Sequence, residues 1–171
     1  MTARPPDRQA RGALDPPSLE SSLYVFPGDV VGKVVGCLLT TVLGSCVSVC
    51  LHDPRTRIGG MNHFLLPEPI GVGERSPRFA GPAIEELIGQ LLDRGGSRER
   101  LVAKLFGGCE SGGTGSNGFH IGFRNVVAAR RHLTEVGIPI VAEDVGGGAG
   151  RRLVFDPEQG AAWVKPLRSR T

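Results

Sequence analysis

Apolar residues fall in short runs along most of the chain and on two helical stripes, and their order predicts the architecture. Leu23-Tyr24-Val25-Phe26 is the first such run and marks where structure should begin. Positions 30–43 are rich in Val and Leu and broken by Gly32 and Gly36, which predicts one or two short strands. Val47-Ser48-Val49-Cys50-Leu51 alternates only weakly and reads as a strand buried on both faces. Positions 58–66 read as its returning hairpin strand, ended by Pro67, and 68–78 as a polar loop. A helix is predicted over 82–94: Ile84, Leu87, Ile88, Leu91 and Leu92 form one stripe, Pro82 suits the first turn and Gly95 the stop. A second is predicted over 125–137, with Asn125 as N-cap and Val126, Ala129, Leu133 and Val136 inward. Strands are predicted at 101–106 and 138–142. A last hairpin joins 152–155 to 161–164 around Asp156-Pro157-Glu158-Gln159-Gly160. This order predicts an α+β fold, a mixed α/β sandwich whose largely antiparallel sheet packs against two main helices.

Length and composition narrow the picture. The chain of 171 residues suits one domain, expected over 23–167. Positions 1–22 are rich in Pro, Arg, Asp and Ser without periodicity and are expected to be disordered. Lys165, Arg168 and Arg170 mark a basic tail at 168–171, expected to be solvated. A net charge of +3 and 5% aromatic residues argue against nucleic-acid partners, which need basic faces or stacking platforms. No apolar run is long enough for a membrane span or signal peptide, so a cytoplasmic protein is expected. Cys37, Cys46, Cys50 and Cys109 show no C-x-x-C spacing, and no metal site is expected. Reduced thiols fit that compartment.

One of those thiols stands out. Cys46 follows Gly44-Ser45, and the one turn signal before His63 is Asp53-Pro54-Arg55-Thr56. If Asp53 pairs with Thr56, antiparallel partners sum to 109, and Cys46 faces His63. Side chains so paired lie roughly 4.5–5.5 Å apart at Cβ, within reach of thiol-to-imidazole chemistry. Backbone N–H groups at Ser45 and Cys46 are placed to lower the thiol pKa and to stabilise an oxyanion, with Gly44 and Asn62 as supporting residues. Thr40 and Thr41, on the strand entering the turn, offer hydroxyls that can orient His63. No carboxylate occupies that place.

Other candidates are weaker. His52 lies beside the turn, about 20 Å along the strand from the thiol. His132 sits on the second helix, where it should face solvent, while His120 competes with His63 as the base. Gly113-Thr114-Gly115-Ser116-Asn117-Gly118 matches G-x-G-x-x-G, but Phe119-His120-Ile121-Gly122 follows where a nucleotide site would open a helix. Gly146-Gly147-Gly148-Ala149-Gly150 lacks the Lys-Ser/Thr of a phosphate loop. Glu143 and Asp144 point to opposite faces of a strand, so they make no carboxylate pair.

Thr40-x-x-x-Gly44-Ser45-Cys46-Val47-x-Val49-Cys50, then Asp53-Pro54, then Ile58-Gly59-Gly60-Met61-Asn62-His63-Phe64-x-Leu66-Pro67 closely resembles the chemoreceptor glutamine deamidases, the CheD family. The similarity continues through Ala103-Lys104-Leu105-Phe106-Gly107-Gly108, Ile121-Gly122-x-Arg124-Asn125, Gly137-Ile138 and Ala142-Glu143-Asp144-x-Gly146-Gly147. The resemblance implies a triad of Cys46 as nucleophile, His63 as general base and acid, and Thr40, six positions before the cysteine, orienting His63. It implies the fold shared with glutamine-deamidating bacterial toxins and hydrolysis of receptor glutamines through a Cys46 thioester, without a cofactor. The implied partners are the cytoplasmic domains of methyl-accepting chemotaxis receptors and, in some members, a CheC-type phosphatase; we expect a monomer. The alternatives are a non-catalytic chemotaxis adaptor and a related thiol hydrolase with methylesterase activity. The chain departs from the family in its N-terminal extension, its Gly/Ser-rich 109–118 loop and Phe123.

Overall fold

The computed structural model describes residues 18–32, 34–110 and 120–168. Most of the predicted N-terminal extension, the 111–119 loop with its glycine motif, and 169–171 of the basic tail lie outside the described residues. The end of the extension is ordered, contrary to expectation: Leu19–Ser21 forms a single 3₁₀ turn and Ser22 already belongs to a strand. The Ser22 hydroxyl donates to the Leu19 carbonyl across that turn (2.9 Å).

Among the described residues, nine strands and two α-helices make up the fold. In chain order they are β1 (Ser22–Tyr24), β2 (Val30–Gly32), β3 (Leu38–Leu43), β4 (Val47–Asp53), β5 (Ile58–Asn62), α1 (Ala80–Leu92), β6 (Val102–Gly107), α2 (Ile121–Glu135), β7 (Ile140–Val145), β8 (Arg151–Phe155) and β9 (Ala162–Pro166). One sheet has the order β1-β3-β8-β9, the other β2-β5-β4-β6-β7. The pairs β1–β3 and β6–β7 are parallel and the rest antiparallel. The chain therefore folds as α+β, with two stacked sheets and both helices on the far face of the larger one.

Two apolar layers hold this arrangement. Between the larger sheet and the helices lie Val47, Val49, Leu51 and Leu105, against Ile84, Leu87, Ile88 and Leu91 of α1 and Val126, Ala129 and Leu133 of α2. Between the sheets lie Leu39 and Leu43 of β3, Cys50, Met61 and Phe106, and Leu153 and Phe155 of β8. Being covered on both faces explains why every residue of β4 is buried and why its alternation is weak. Odd-numbered positions of β4 face the helices, while Cys50, and Cys46 just before the strand, pack toward the smaller sheet.

The β4–β5 hairpin differs in register from the expectation. Asp53 pairs with Ile58 and Cys50 with Met61, so partners sum to 111 and the connection is the four-residue loop 54–57. Asp53 causes this widening: its carboxylate accepts from the Arg55 and Thr56 N–H groups, and its carbonyl from Arg57 N–H. Arg57 then takes a left-handed backbone, φ 55°, to re-enter the ladder. The slip of two residues keeps every side chain on its expected face. It moves His63 from directly opposite Cys46 to a diagonal position.

Candidate active site

His63 projects between the two sheets. Its Nδ1 lies 2.9 Å from Thr41 Oγ1 and 3.2 Å from the Val25 carbonyl, both from the smaller-sheet side. Thr41 has one hydroxyl proton, and it goes to the Val25 carbonyl at 2.7 Å. Thr41 Oγ1 and Val25 O therefore both act as acceptors, and Nδ1 must carry the proton that they share. This assigns the tautomer: Nε2 holds the lone pair. Nε2 is buried and has no hydrogen-bond partner among the described residues. Burial pushes the His63 pKa below the ordinary imidazole value, against smaller opposing effects of Val25 O and Asp29. His63 is neutral at pH 7, with an unused basic nitrogen.

The backbone around His63 is equally constrained. Its N–H donates to Asp29 O (3.1 Å) and its carbonyl accepts from Gly28 N–H (2.7 Å). The β4–β5 ladder is interrupted beside it, because Val49 N–H donates to the Asn62 carboxamide oxygen (2.8 Å) instead of a carbonyl. Ser48 Oγ then takes the Asn62 carbonyl at 2.6 Å. Pairing resumes at Val47 and Phe64.

Cys46 sits half-buried at the end of the 44–46 turn, on the same inter-sheet side as His63. Its thiol pKa is raised by burial; its own backbone N–H opposes that rise, and the nearby Cys109 adds to it. The expected lowering by turn amides is thus outweighed by burial, which favours the neutral thiol as it favours the neutral imidazole of His63. The turn is tied down by carbonyls: Gly44 O accepts from Cys109 N–H and Cys46 O from Gly108 N–H, each at 2.9 Å. Gly107, at φ 105°, passes so close beneath Cys46 O that a Cβ there would collide with it. Gly122, at the start of α2, lies against the Gly108 and Cys109 carbonyls in the same way. At this end of the sandwich Arg151 of β8 also reaches across to β7, bonding the Asp144 carbonyl (2.5 Å), the Asp144 carboxylate and the Gly146 carbonyl.

With this geometry in place, comparison with known proteins is informative. The CheD chemotactic sensory transduction family matches residues 65–166. A protein from Anaeromyxobacter dehalogenans called "Probable chemoreceptor glutamine deamidase CheD 1" is 42% identical over 168 residues, covering 97% of this chain and 98% of its own. The chain belongs to the CheD family. A second CheD relative, the "Probable chemoreceptor glutamine deamidase CheD" of Trichlorobacter lovleyi, is 44% identical, covering 80% of this chain and 85% of its own. Among solved structures, the Bacillus licheniformis hypothetical protein YfiH aligns with 15% identity and a TM-score of 0.41, covering 62% of this chain and 45% of its own. That likeness is too slight to argue from.

Within this CheD framework several expected positions change. Thr40, assigned by resemblance to orient His63, points away from it: its hydroxyl donates to Leu153 O at 3.0 Å. The inward positions of β3 are Leu39, Thr41 and Leu43, so strand parity puts Thr41 against the imidazole instead. Asn62 supports the ladder through its side-chain oxygen, as described, and is fully buried. Ser45 is exposed at the tip of the turn, and Gly44 is held through its carbonyl. Asn125 is no N-cap; it lies inside α2 and is fully buried. Its Nδ2 donates to both Ser45 O (2.9 Å) and Leu65 O (2.8 Å), a link that sequence reasoning missed. The signal for it was present, since Asn125 shares the inward stripe of Gly122, Val126 and Ala129.

The remaining histidines lie elsewhere. His52 is buried at the hairpin's turn end, with Nδ1 3.2 Å from Pro157 O. His132 does not simply face solvent: its Nε2 lies 3.1 Å from Glu85 and its ring packs over Gly81, bridging α2 to α1. His120 is exposed just before α2, 3.8 Å from Glu110. Glu110 in turn accepts from Phe123 N–H (2.7 Å) at the start of that helix. Glu143 pairs with Arg130 and Asp144 with Arg151, as expected for carboxylates on opposite faces of one strand.

Proposed function

We propose that this CheD family protein is a glutamine deamidase of chemotaxis receptors, with Cys46 as nucleophile, His63 as general base and acid, and Thr41 orienting His63. The observation that carries the reading is the state of His63. A buried imidazole with Nδ1–H bonded and Nε2 unpaired, on the same inter-sheet side as a half-buried thiol, supports His63 as the base for that thiol. The relatives' names as chemoreceptor glutamine deamidases support the substrate class.

The reaction follows from these groups. Cys46 Sγ attacks the glutamine side-chain carbon as its proton passes to His63 Nε2. The amide oxygen becomes an oxyanion that the Cys46 N–H stabilises. Nε2–H then gives its proton to the departing nitrogen, ammonia leaves, and a thioester remains on Cys46. His63, neutral again, draws a proton from water, whose oxygen attacks the thioester; glutamate leaves as the carbon–sulfur bond breaks, and Nε2–H returns its proton to the Cys46 sulfur. Thr41 and Val25 O hold Nδ1–H throughout, so the imidazolium formed twice in the cycle is stabilised without reorientation. Because both resting groups are neutral, the thiolate forms only in step with attack.

The same reading takes the protein as a cytoplasmic monomer that meets receptor cytoplasmic domains directly, with a CheC-type phosphatase as a second partner. A reducing compartment suits a free-thiol nucleophile. Each event adds one negative charge to a receptor, which shifts helix packing at the modified position. The test is incubation with a chemoreceptor cytoplasmic fragment and peptide mass mapping. A rise of about 1 Da at glutamine, from exchanging NH₂ for OH, is expected. An unmodified fragment bound by the protein supports the adaptor reading instead.

A further inference from the structure

We propose that Asn125 is a positioning residue for the Cys46 nucleophile and its oxyanion donor, an inference that rests on the deamidase reading of Cys46 and His63. Both partners of its side chain are carbonyl oxygens, which only accept, so the NH₂ group must face them and Oδ1 must face away. Oδ1 is accordingly buried without a partner among the described residues. A planar NH₂ carries two donors at a fixed angle, and here they span the nucleophile turn at Ser45 and the chain two residues past His63. The two halves of the site are thus pinned to one amide on α2.

The Ser45 contact has a second effect. Ser45 C=O and Cys46 N–H belong to one planar trans peptide and point in opposite directions. Holding the Ser45 carbonyl toward α2 therefore turns the Cys46 N–H away from the helix, leaving it free to meet the oxyanion. Gly108 and Gly122 let the start of α2 come close to the chain after β6, and Gly107 lets the end of β6 come close to the Cys46 backbone; a Cβ at any of the three would meet neighbouring backbone.

Two measurements on the full chain test this. The first is the pH profile of Cys46 alkylation by iodoacetamide, read by peptide mass mapping and needing no receptor. A thiol coupled to His63 gives a plateau between the two titrations, whereas an uncoupled thiol, as in His63→Ala, gains tenfold per pH unit up to its own pKa. Asn125→Leu should lose the plateau and follow His63→Ala. The second is deamidation kinetics, where Asn125→Leu should lose about 100-fold in kcat with KM nearly unchanged, the loss expected of a misplaced reacting group. Should Asn125→Leu fail to fold, Asn125→Asp serves: burial against two carbonyls keeps it protonated with one donor, giving a kcat between wild type and His63→Ala. A folded Asn125 variant with the wild-type plateau and kcat overturns the proposal. So does a wild-type profile identical to that of His63→Ala, since no coupled pair then exists to position. A plateau present in wild type and lost in the variant, with no deamidation by either, upholds the clamp and rejects the substrate reading alone.

Discussion

The two ends of the β4–β5 hairpin are built from similar materials and put to opposite uses. At the turn end Asp53 is fully buried, and all its needs are met: Arg100 holds it through two nitrogens (2.7 Å at Nη2), and the Ser97, Arg55 and Thr56 N–H groups complete the shell. Burial alone would raise that carboxyl's pKa, but these donors hold it far below the usual range. At the other end His63 Nε2 and Asn125 Oδ1 are equally buried and have no partner among the described residues. The turn end also borders a cleft of about 250 Å³ lined by Val34, Val35, Arg57, Pro157 and Glu158, larger than anything its chemistry requires. Unmet hydrogen-bonding capacity, not volume, marks the site.

This contrast can be broken by substitution. Cys46→Ala should abolish deamidation, by about 10⁴-fold or more, while the melting temperature stays near wild type. His63→Ala should approach the same loss, and the product mass assay separates it from His120→Ala, which should retain activity. Thr41→Val should lose roughly 10- to 100-fold in kcat, since Val25 O still holds Nδ1–H but the imidazole gains freedom. Thr40→Val should change kcat less than about threefold, its hydroxyl serving only the Leu153 carbonyl. At the turn end the expectation reverses: Asp53→Ala should lower the melting temperature by on the order of 10 °C and leave kcat per folded molecule unchanged.

A pH measurement sharpens the comparison further. The acid limb of kcat/KM reports protonation of the free enzyme's base. Burial lowers the His63 pKa, so the limb should fall below the ordinary value of 6.5. Activity is then full above that value and lost as pH drops through the lowered one. A limb above 6.5 would indicate a base stabilised in its charged form, such as an imidazole beside a carboxylate.

Much of this was legible in the residues, and the failures have physical causes. Hydrophobic periodicity located both helices because each buries one stripe, while β4 and β5, buried on both faces, were marked by apolar runs and the turn between them. The hairpin register came out two residues short, since Asp53 as a side-chain acceptor and Arg57 in a left-handed conformation open the loop. The even slip keeps Cys46 and His63 on one face but replaces the expected direct pairing with a diagonal one. Thr40 and Thr41 could not be told apart from periodicity, as both faces of β3 carry one threonine among apolar residues. Only the packing of Leu39 and Leu43 against β8 and β4 decides which one meets His63. Asn125 looked like a cap because α2 was started four residues late. Its burial goes with close approaches at Gly107 and Gly108 in one segment and Gly122 in another, a coincidence visible only in three dimensions.

The most direct test of the proposed chemistry is to find its intermediate. Wild-type protein mixed with a chemoreceptor cytoplasmic fragment, quenched in acid within a turnover and digested, should yield the Cys46 peptide joined through a thioester to a receptor peptide that has lost ammonia. The adduct should vanish on treatment with hydroxylamine and be absent from Cys46→Ala. Glutamate formation at an undiminished rate in Cys46→Ala, or an adduct on Cys109 in place of Cys46, would contradict it.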